Sequence, residues 1–118
     1  MNPPRRGEIW RTDLDPTQGD EIGKVRPVVI VNRNSYGRLA LRVVVPITGW
    51  NPAFAAFPWM VPIAPSSTNG LTKPSAADTF QICSLSEGRF LSKIGDLGVH
   101  EVETIASAIS LMVTETTE

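Results

Sequence analysis

The stretch DEIGKVRPVVIVN, residues 20–32, decides the fold because it turns from a charged loop into an uninterrupted apolar strand. Residues 28–31 are all β-branched, which favours extended backbone, and such a run predicts a central strand buried on both faces. Pro27 has no N–H to give to a sheet, so it is tolerated at the first position of a strand, and its ring holds Arg26 in extended backbone. The sequence therefore places Arg26 at the entrance to a central strand, directly after a polar loop at 15–24.

The rest of the chain is mostly strand. Alternating or valine-rich patterns predict further strands at 7–14, 39–48, 57–64, 75–85 and 91–97. Turn residues at 34–37 predict a hairpin between the central strand and the strand that follows it. From Val99 the apolar residues recur at helical spacing, with Gly98 as N-cap and Glu101 in the first turn. The predicted fold class is mainly β (α+β), a curved antiparallel sheet with one C-terminal α-helix.

Length and composition narrow the class of protein. The chain has 118 residues, which predicts one domain over 1–118, with a frayed proline-rich start and a frayed TETTE end. It contains no membrane-spanning apolar run and no secretory signal, so we expect a cytoplasmic protein. A single Cys83 and a single His100 exclude an internal disulfide and leave too few ligands for a structural zinc site. We therefore expect chemistry without a metal or another cofactor.

Charge is unevenly distributed along the chain. The net charge is −1, but residues 1–42 carry eight Lys/Arg against five acids, whereas residues 43–118 carry three against seven. This asymmetry indicates an anionic ligand near the N-terminal half, although a solvated surface would show the same split.

A cluster of polar side chains is predicted where the ends of two strands lie side by side. Thr48 ends the strand at 39–48, and in a hairpin the end of this strand lies beside the start of the strand that Arg26 opens. A guanidinium beside a hydroxyl, with a carboxylate arriving from the loop, suits a phosphate. The alternative is that Arg26 only pairs with Glu21 or Asp20 and that Thr48 is an ordinary strand residue.

Four parts of the sequence resemble one family of proteins. They are RRGEIWRTDLDPTQGDEIGKVRPVVIVN (5–32), VVVPIT (43–48), GLTKPSAADTFQI (70–82) and the terminal amphipathic helix. In this order and at these spacings they resemble the MazF/PemK/Kid family of toxin endoribonucleases, from about Arg6 to Val113.

The resemblance implies a fold, an activity and partners. The fold would be an SH3-like small β-barrel of the MazF/CcdB type, assembled as a homodimer. The activity would be sequence-specific, metal-independent cleavage of single-stranded mRNA, in which the ribose 2′-hydroxyl attacks the adjacent phosphate and leaves 2′,3′-cyclic phosphate and 5′-hydroxyl ends. Translation and growth would stop. The partners would be RNA, an acidic MazE-like antitoxin and, through the toxin–antitoxin complex, operator DNA.

The family's functional positions fall on particular residues of this chain. The catalytic arginine falls on Arg26, the threonine on Thr48 and the acid five positions before the arginine on Glu21. The candidates for RNA binding are Lys73, Gln81, Lys24 and Trp50, the last as a base-stacking residue.

One position departs from the family, and two other residues have plain interpretations. Many relatives carry an arginine where this chain has Cys83, and we interpret Cys83 as a small buried thiol that fills the site; the alternative is a lost RNA contact. Trp10 is expected in the core or in dimer packing, and His100 is expected to be exposed.

Two other functions remain open from sequence. A CcdB-type toxin binds DNA gyrase with the same barrel, and such relatives use a tryptophan-containing C-terminal tip, whereas this chain ends LMVTETTE. A catalytically silent, partner-binding barrel is the third interpretation, and the joint presence of Arg26 and Thr48 argues against it.

Overall fold

The computed structural model describes residues 3–115. The predicted domain limits at residues 1 and 118, and parts of the two ends predicted to be frayed, lie outside the described residues. The described residues form seven strands and one α-helix. In order they are β1 Glu8–Asp13, β2 Val25–Ile30, β3 Leu41–Gly49, β4 Met60–Ile63, β5 Ser75–Asp78, β6 Cys83–Ser86, β7 Phe90–Asp96 and α1 Val99–Val113. The mainly β fold with a C-terminal helix is confirmed.

The sheet is antiparallel, and β2 lies inside it. The strand order is β4-β5-β3-β2-β1-β7, with β6 paired to β3. The predicted hairpin is confirmed, since β2 pairs with β3 in the register Val28↔Pro46 and Ile30↔Val44. β3 is long enough to pair with β6 over 41–44 and with β5 over 47–49. β3 is therefore the strand on which the two parts of the sheet join.

The central strand is buried on both faces because successive side chains of a strand point in opposite directions. Val29 packs into the core cluster that contains Ile105 of α1. Val28 and Ile30 pack into the cluster on the other face, together with Trp10. The Trp10 ring also meets the ring of Phe90 edge to face, with 6.1 Å between the ring centroids. Trp10 is therefore a core residue, which is one of the two positions expected for it.

The segment 75–85 was predicted as one strand, and this prediction is wrong. β5 ends at Asp78, a 3₁₀ turn follows at Thr79–Gln81, and β6 begins at Cys83. The Asp78 carboxylate accepts a hydrogen bond from the Phe80 N–H at 3.1 Å and so caps the turn. The turn redirects the chain, which allows β5 and β6 to pair with different halves of β3.

The helix begins as the sequence predicts. The Gly98 N–H donates to Glu101 Oε1 at 3.0 Å, which stabilises the first turn. Val102, Ile105 and Ala108 form the buried stripe, and His100 is fully exposed. No helix within residues 3–115 has the length and apolar character needed to cross a bilayer.

One arginine is part of the core. Arg42 is 2% exposed, and its Nη2 lies 2.8 Å from Glu87 Oε1. Its guanidinium also donates to the carbonyl oxygens of Pro4, Gly37, Leu39 and Leu41. Arg42 therefore ties the start of the chain to the 37–41 loop, and it adds nothing to the surface charge of the basic N-terminal half.

Candidate functional site

The start of β2 and the end of β3 meet at one cleft. Continuing the β2–β3 register by two residues beyond Val28↔Pro46 sets Arg26 opposite Thr48. Both residues line a cleft of about 280 Å³ together with Lys73. The neighbours expected from the hairpin are thus close together in space.

The cleft is suited to an anion. Arg26 and Lys73 supply two positive charges, and Thr48, Thr72 and Ser75 supply hydroxyls; no carboxylate is among the described residues that line the cleft. A guanidinium offers a planar set of N–H donors that matches the oxygens of a phosphate. The chemistry of this lining therefore favours a phosphate over a neutral or cationic ligand.

Lys73 reaches the cleft from the loop 64–74, and buried Asn69 shapes this loop. Asn69 is 1% exposed; its Oδ1 accepts the N–H groups of Ser66 and Leu71, and its Nδ2 donates to the Ala64 carbonyl. At the far end of the loop, a methyl group added to Gly49 would lie 3.2 Å from Lys73 Nζ. The missing side chain at Gly49 leaves room for the ammonium group beside Thr48.

Arg26 is exposed and forms no ion pair with any residue in the described range 3–115. Its Nε donates to the Gly23 carbonyl at 3.3 Å. The alternative in which Arg26 only pairs with Glu21 or Asp20 is therefore wrong for this structure. Arg26 lines the cleft, so its guanidinium is available to a ligand there.

Glu21 lies apart from the cleft. Its Oε1 accepts the Gln18 N–H at 2.6 Å, and the residue lines a separate cavity of about 520 Å³ with Cys83 and Arg89. The expected carboxylate beside the Arg26 guanidinium is therefore absent from this arrangement, because the loop folds back on itself. The catalytic role that the resemblance gives to Glu21 stays a prediction.

The other predicted RNA-binding residues lie in three different places. Lys24 is exposed at the end of the loop, with a left-handed φ of 65°. Trp50 is half-buried next to the cleft; its backbone N–H donates to the Pro74 carbonyl, and its ring meets Phe54 edge to face at 5.8 Å. Gln81 lies outside the cleft and bonds the loop that carries Glu21.

Comparisons of sequence and structure identify known proteins that resemble this chain. Residues 5–113 match the family described as the PemK-like, MazF-like toxin of type II toxin–antitoxin systems. The chain belongs to this toxin family. The resemblance seen in the sequence motifs is confirmed.

Individual relatives agree with the family. The chain is 35% identical to the endoribonuclease MazF9 of Mycobacterium tuberculosis, over 91% of this chain and 93% of that protein. It also resembles a mycobacterial endoribonuclease in complex with its cognate antitoxin, at 25% identity and a TM-score of 0.68, over 94% of this chain and 93% of that one. The Deinococcus radiodurans MazF structure shares the fold, with a TM-score of 0.80 at 17% identity over 96% and 98% of the two chains.

Cys83 of this toxin is exposed, so the interpretation as a buried filler is wrong. β6 pairs with β3 alone, which leaves Cys83 at the wall of the larger cavity. Partial burial and the charge of Glu21 raise the pKa of the Cys83 thiol, and Arg89 opposes them. The thiol is therefore held in its protonated form near neutral pH.

Sequence reasoning missed two features of the toxin. One is Asn69, for which the turn-like SSTNG segment at 66–70 was the available signal. The other is an aromatic cluster in which Phe57 and Trp59 stack at 4.9 Å and Phe80, 65% exposed, meets Trp59 at 5.5 Å. Phe80 is distant in sequence from the other two rings, and the β4–β5 pairing brings it beside Trp59. Among the described residues, no three His, Cys, Asp or Glu side chains are grouped as metal ligands.

Proposed function

We propose that this chain is the endoribonuclease toxin of a type II toxin–antitoxin pair and that it cuts single-stranded mRNA without a metal ion or another cofactor. The observation that carries the proposal is the carboxylate-free cleft of Arg26, Thr48 and Lys73, in a chain 35% identical to an endoribonuclease over nearly its whole length. Sequence-specific cleavage of mRNA would stop translation and growth.

The reaction forms one bond and breaks one. The ribose 2′-oxygen bonds to the adjacent phosphorus, the bond from phosphorus to the 5′-oxygen breaks, and the products are a 2′,3′-cyclic phosphate and a 5′-hydroxyl. One proton leaves the 2′-hydroxyl and one reaches the departing 5′-oxygen. The phosphoryl oxygens gain negative charge on the way, so fixed donors aimed at them lower the barrier.

Arg26 and Lys73 are the charge-stabilising groups in this proposal. A guanidinium stays protonated in proteins, so Arg26 acts first as a donor to the phosphoryl oxygens. Lys73 adds a second positive charge, and the Thr48 hydroxyl orients the phosphate. Glu21 is the proposed proton acceptor, which requires its side chain to leave the Gln18 N–H and turn from the larger cavity toward the cleft.

RNA binding involves residues around the cleft. Lys73 and Lys24 are proposed phosphate contacts, and Trp50 is a proposed stacking surface because it adjoins Thr48. The resemblance alone makes Gln81 a candidate base contact, since Gln81 does not line the cleft. The RNA strand would lie across the face of a homodimer, as the resemblance implies.

The proposed partner is an antitoxin of opposite charge. A cleft that binds an anionic strand also accepts an acidic peptide, so we propose a partly disordered, acidic antitoxin whose C-terminal segment covers Arg26 and displaces the loop 15–24. The related mycobacterial endoribonuclease is seen with its cognate antitoxin, which supports this assignment. The pair would act in the cytoplasm and bind operator DNA as a complex.

The test is cleavage of a long RNA by the purified protein in excess EDTA, with both ends of each cut mapped. We expect cuts at one short sequence, with 5′-hydroxyl and 2′,3′-cyclic phosphate ends. Activity that EDTA abolishes and magnesium restores would contradict the metal-independent mechanism. Gyrase inhibition without any RNA cleavage would favour the CcdB-type alternative.

A further inference from the structure

The loop at residues 14–24 joins β1 to β2 and is compact. The Leu14 N–H donates to the Lys24 carbonyl at 2.9 Å and closes the base of the loop, and the Glu21 N–H donates to the Gln18 carbonyl at 3.1 Å. A methyl group added at Gly23 would lie 2.6 Å from Thr17 Oγ1, so the two arms of the loop are in contact. The loop is therefore closed by its own backbone hydrogen bonds.

Gln81 holds this loop from the other side of the larger cavity. Its Oε1 accepts the Ile22 N–H at 3.0 Å, and its Nε2 donates to the Asp20 carbonyl at 2.8 Å. Gln81 itself is half-buried at the end of the 3₁₀ turn that Asp78 caps. One side-chain amide thus binds the loop backbone at two points from a fixed element.

The same loop orients Arg26. Gly23 directly follows Ile22, and its carbonyl accepts the Arg26 Nε–H at 3.3 Å. Arg26 has no ion pair within the described part of the chain, so this hydrogen bond is the polar contact that can orient its exposed guanidinium. The path from the Gln81 amide to the guanidinium consists of two hydrogen bonds and the backbone of Ile22 and Gly23.

We propose that Gln81 is a positioning residue for Arg26, acting through the loop 14–24 rather than by touching RNA. The inference rests on the proposed ribonuclease function for its effect on the reaction. With the amide bonded, the Gly23 carbonyl keeps Nε engaged, and Arg26 stays at the wall of the cleft. When the amide releases the loop, Arg26 samples many directions, and a donor that is not preorganised stabilises the transition state less.

Positioning and direct RNA contact predict different kinetics. Gln81 does not line the cleft. If it acts through the loop, its loss lowers the rate of the chemical step while RNA affinity and the cleavage sequence stay the same. If it is a base contact, its loss weakens binding or relaxes the sequence, and the loop stays closed.

The first experiment compares Gln81→Met with a matched control, Gln18→Met. Methionine keeps the length and removes both hydrogen bonds. Gln18 is exposed in the same loop, and its side chain makes no hydrogen bond within residues 3–115. We expect Gln81→Met to lower the single-turnover rate roughly ten-fold, the scale of one or two ordinary hydrogen bonds, with half-saturation for RNA within about two-fold of the parent.

Limited trypsin digestion measures the loop without RNA. The bond after Lys24 ends the loop, whereas the Arg26–Pro27 bond resists trypsin because of the proline. We expect faster cleavage after Lys24 in Gln81→Met and parental cleavage in Gln18→Met. This result does not depend on any ribonuclease activity.

A second variant, Gln81→Glu, adds a signature that packing alone does not produce. An ionised carboxylate still accepts the Ile22 N–H but repels the Asp20 carbonyl, whereas a protonated carboxyl donates to it. The rate of Gln81→Glu relative to the parent should therefore rise as pH falls through the range in which a glutamic acid takes up its proton. The relative rate of Gln81→Met should stay flat.

Each outcome decides the matter. An unchanged rate in Gln81→Met overturns the positioning role, and so does a weakened affinity or altered cleavage sequence with parental trypsin digestion. If the parent cuts no RNA, the proposed function is wrong. Equal trypsin digestion of Gln81→Met and the parent would show, independently of any RNA cleavage, that Gln81 does not hold the loop.

Discussion

At the scale of single residues, the second positive charge of the cleft comes from Lys73. When log affinity for a single-stranded RNA is plotted against log salt concentration, each phosphate contact contributes about 0.7 to the steepness of the slope. We expect Lys73→Met to weaken binding of an RNA made uncleavable by a 2′-deoxy sugar at the cut site, and to lower that slope by about this amount. The measurement is a salt titration of binding.

The matched control is Lys93→Met, since Lys93 is an exposed lysine already paired with Glu8 and Asp96. It should leave both affinity and salt slope at parental values. An unchanged slope in Lys73→Met would show that Lys73 does not contact phosphate.

Arg42 is the residue on which stability depends most clearly. Its loss would leave four carbonyl groups and Glu87 without this donor. Glu87 is 41% exposed and is solvated by water instead, so the cost comes from the part-buried carbonyls, and leaving such a polar group unpaired costs about 1–3 kcal/mol. We expect Arg42→Met to lower the free energy of unfolding by that amount in urea titrations. Exposed Arg38→Met should change it by less than about 0.5 kcal/mol. Equal midpoints for both variants would refute this role.

Single residues also show where sequence reasoning stops. Arg42 and Arg26 both adjoin valine-rich strands, and no local pattern shows that one guanidinium is buried among carbonyls and the other exposed. Cys83 was predicted to be buried from its apolar character, whereas its exposure depends on β6 having β3 as its sheet partner. Burial is decided by distant contacts.

At the scale of elements, Glu8 joins β1 to β7 and to the start of the chain. It accepts hydrogen bonds from Trp10 Nε1 and the Arg5 N–H, and it pairs with Lys93. Burial alone would raise the pKa of Glu8, but these contacts outweigh it and lower the pKa below its usual value. The folded state therefore binds this proton less tightly than the unfolded chain.

The sign of the pH effect follows. Glu8 stabilises the fold above the pKa of an unfolded glutamate, and this contribution is lost as pH falls through the lower folded pKa. We expect Glu8→Gln to melt below the parent at pH 7 and the difference to shrink in acid. Exposed Glu103→Gln serves as the control in the same melts. A difference that stays constant with pH would contradict the ionic role.

The segment 75–85 shows what an element-scale prediction lacks. Its composition is that of a strand, and both ends are indeed strands. The break at Thr79–Gln81 depends on the cap from Asp78 and on β3 being long enough to serve two partners. A change of pairing partner leaves little trace in the local pattern.

At the scale of the whole molecule, chain order alone predicted that Arg26 and Thr48 meet, because a hairpin sets the start of one strand beside the end of the next. The position of Glu21 was not predictable in this way. Its loop is held by Gln81 from a distant part of the chain, and the resulting fold-back takes the carboxylate into the other cavity. Topology could be predicted, whereas loop conformation could not.

The proposed homodimer is a second prediction at this scale. Leu111 and Val113 near the end of α1 are 63% and 68% exposed, so two large apolar side chains close in sequence are open to contact with a second copy. We expect sedimentation at micromolar concentration to give twice the chain mass. A monomer that still cuts RNA would contradict the dimer.

The central claim is that Arg26 performs chemistry rather than holding the fold, and the most direct test is the single-turnover RNA cleavage rate of Arg26→Ala beside its melting temperature. The loss of one preorganised donor should lower the rate roughly 10²–10³-fold. Because Arg26 is exposed and has no ion pair within the described residues, the melting temperature should change by roughly a few degrees. Arg11→Ala, an exposed arginine on β1, should match the parent in both. A near-parental rate in Arg26→Ala, or an unfolded protein, would contradict the account.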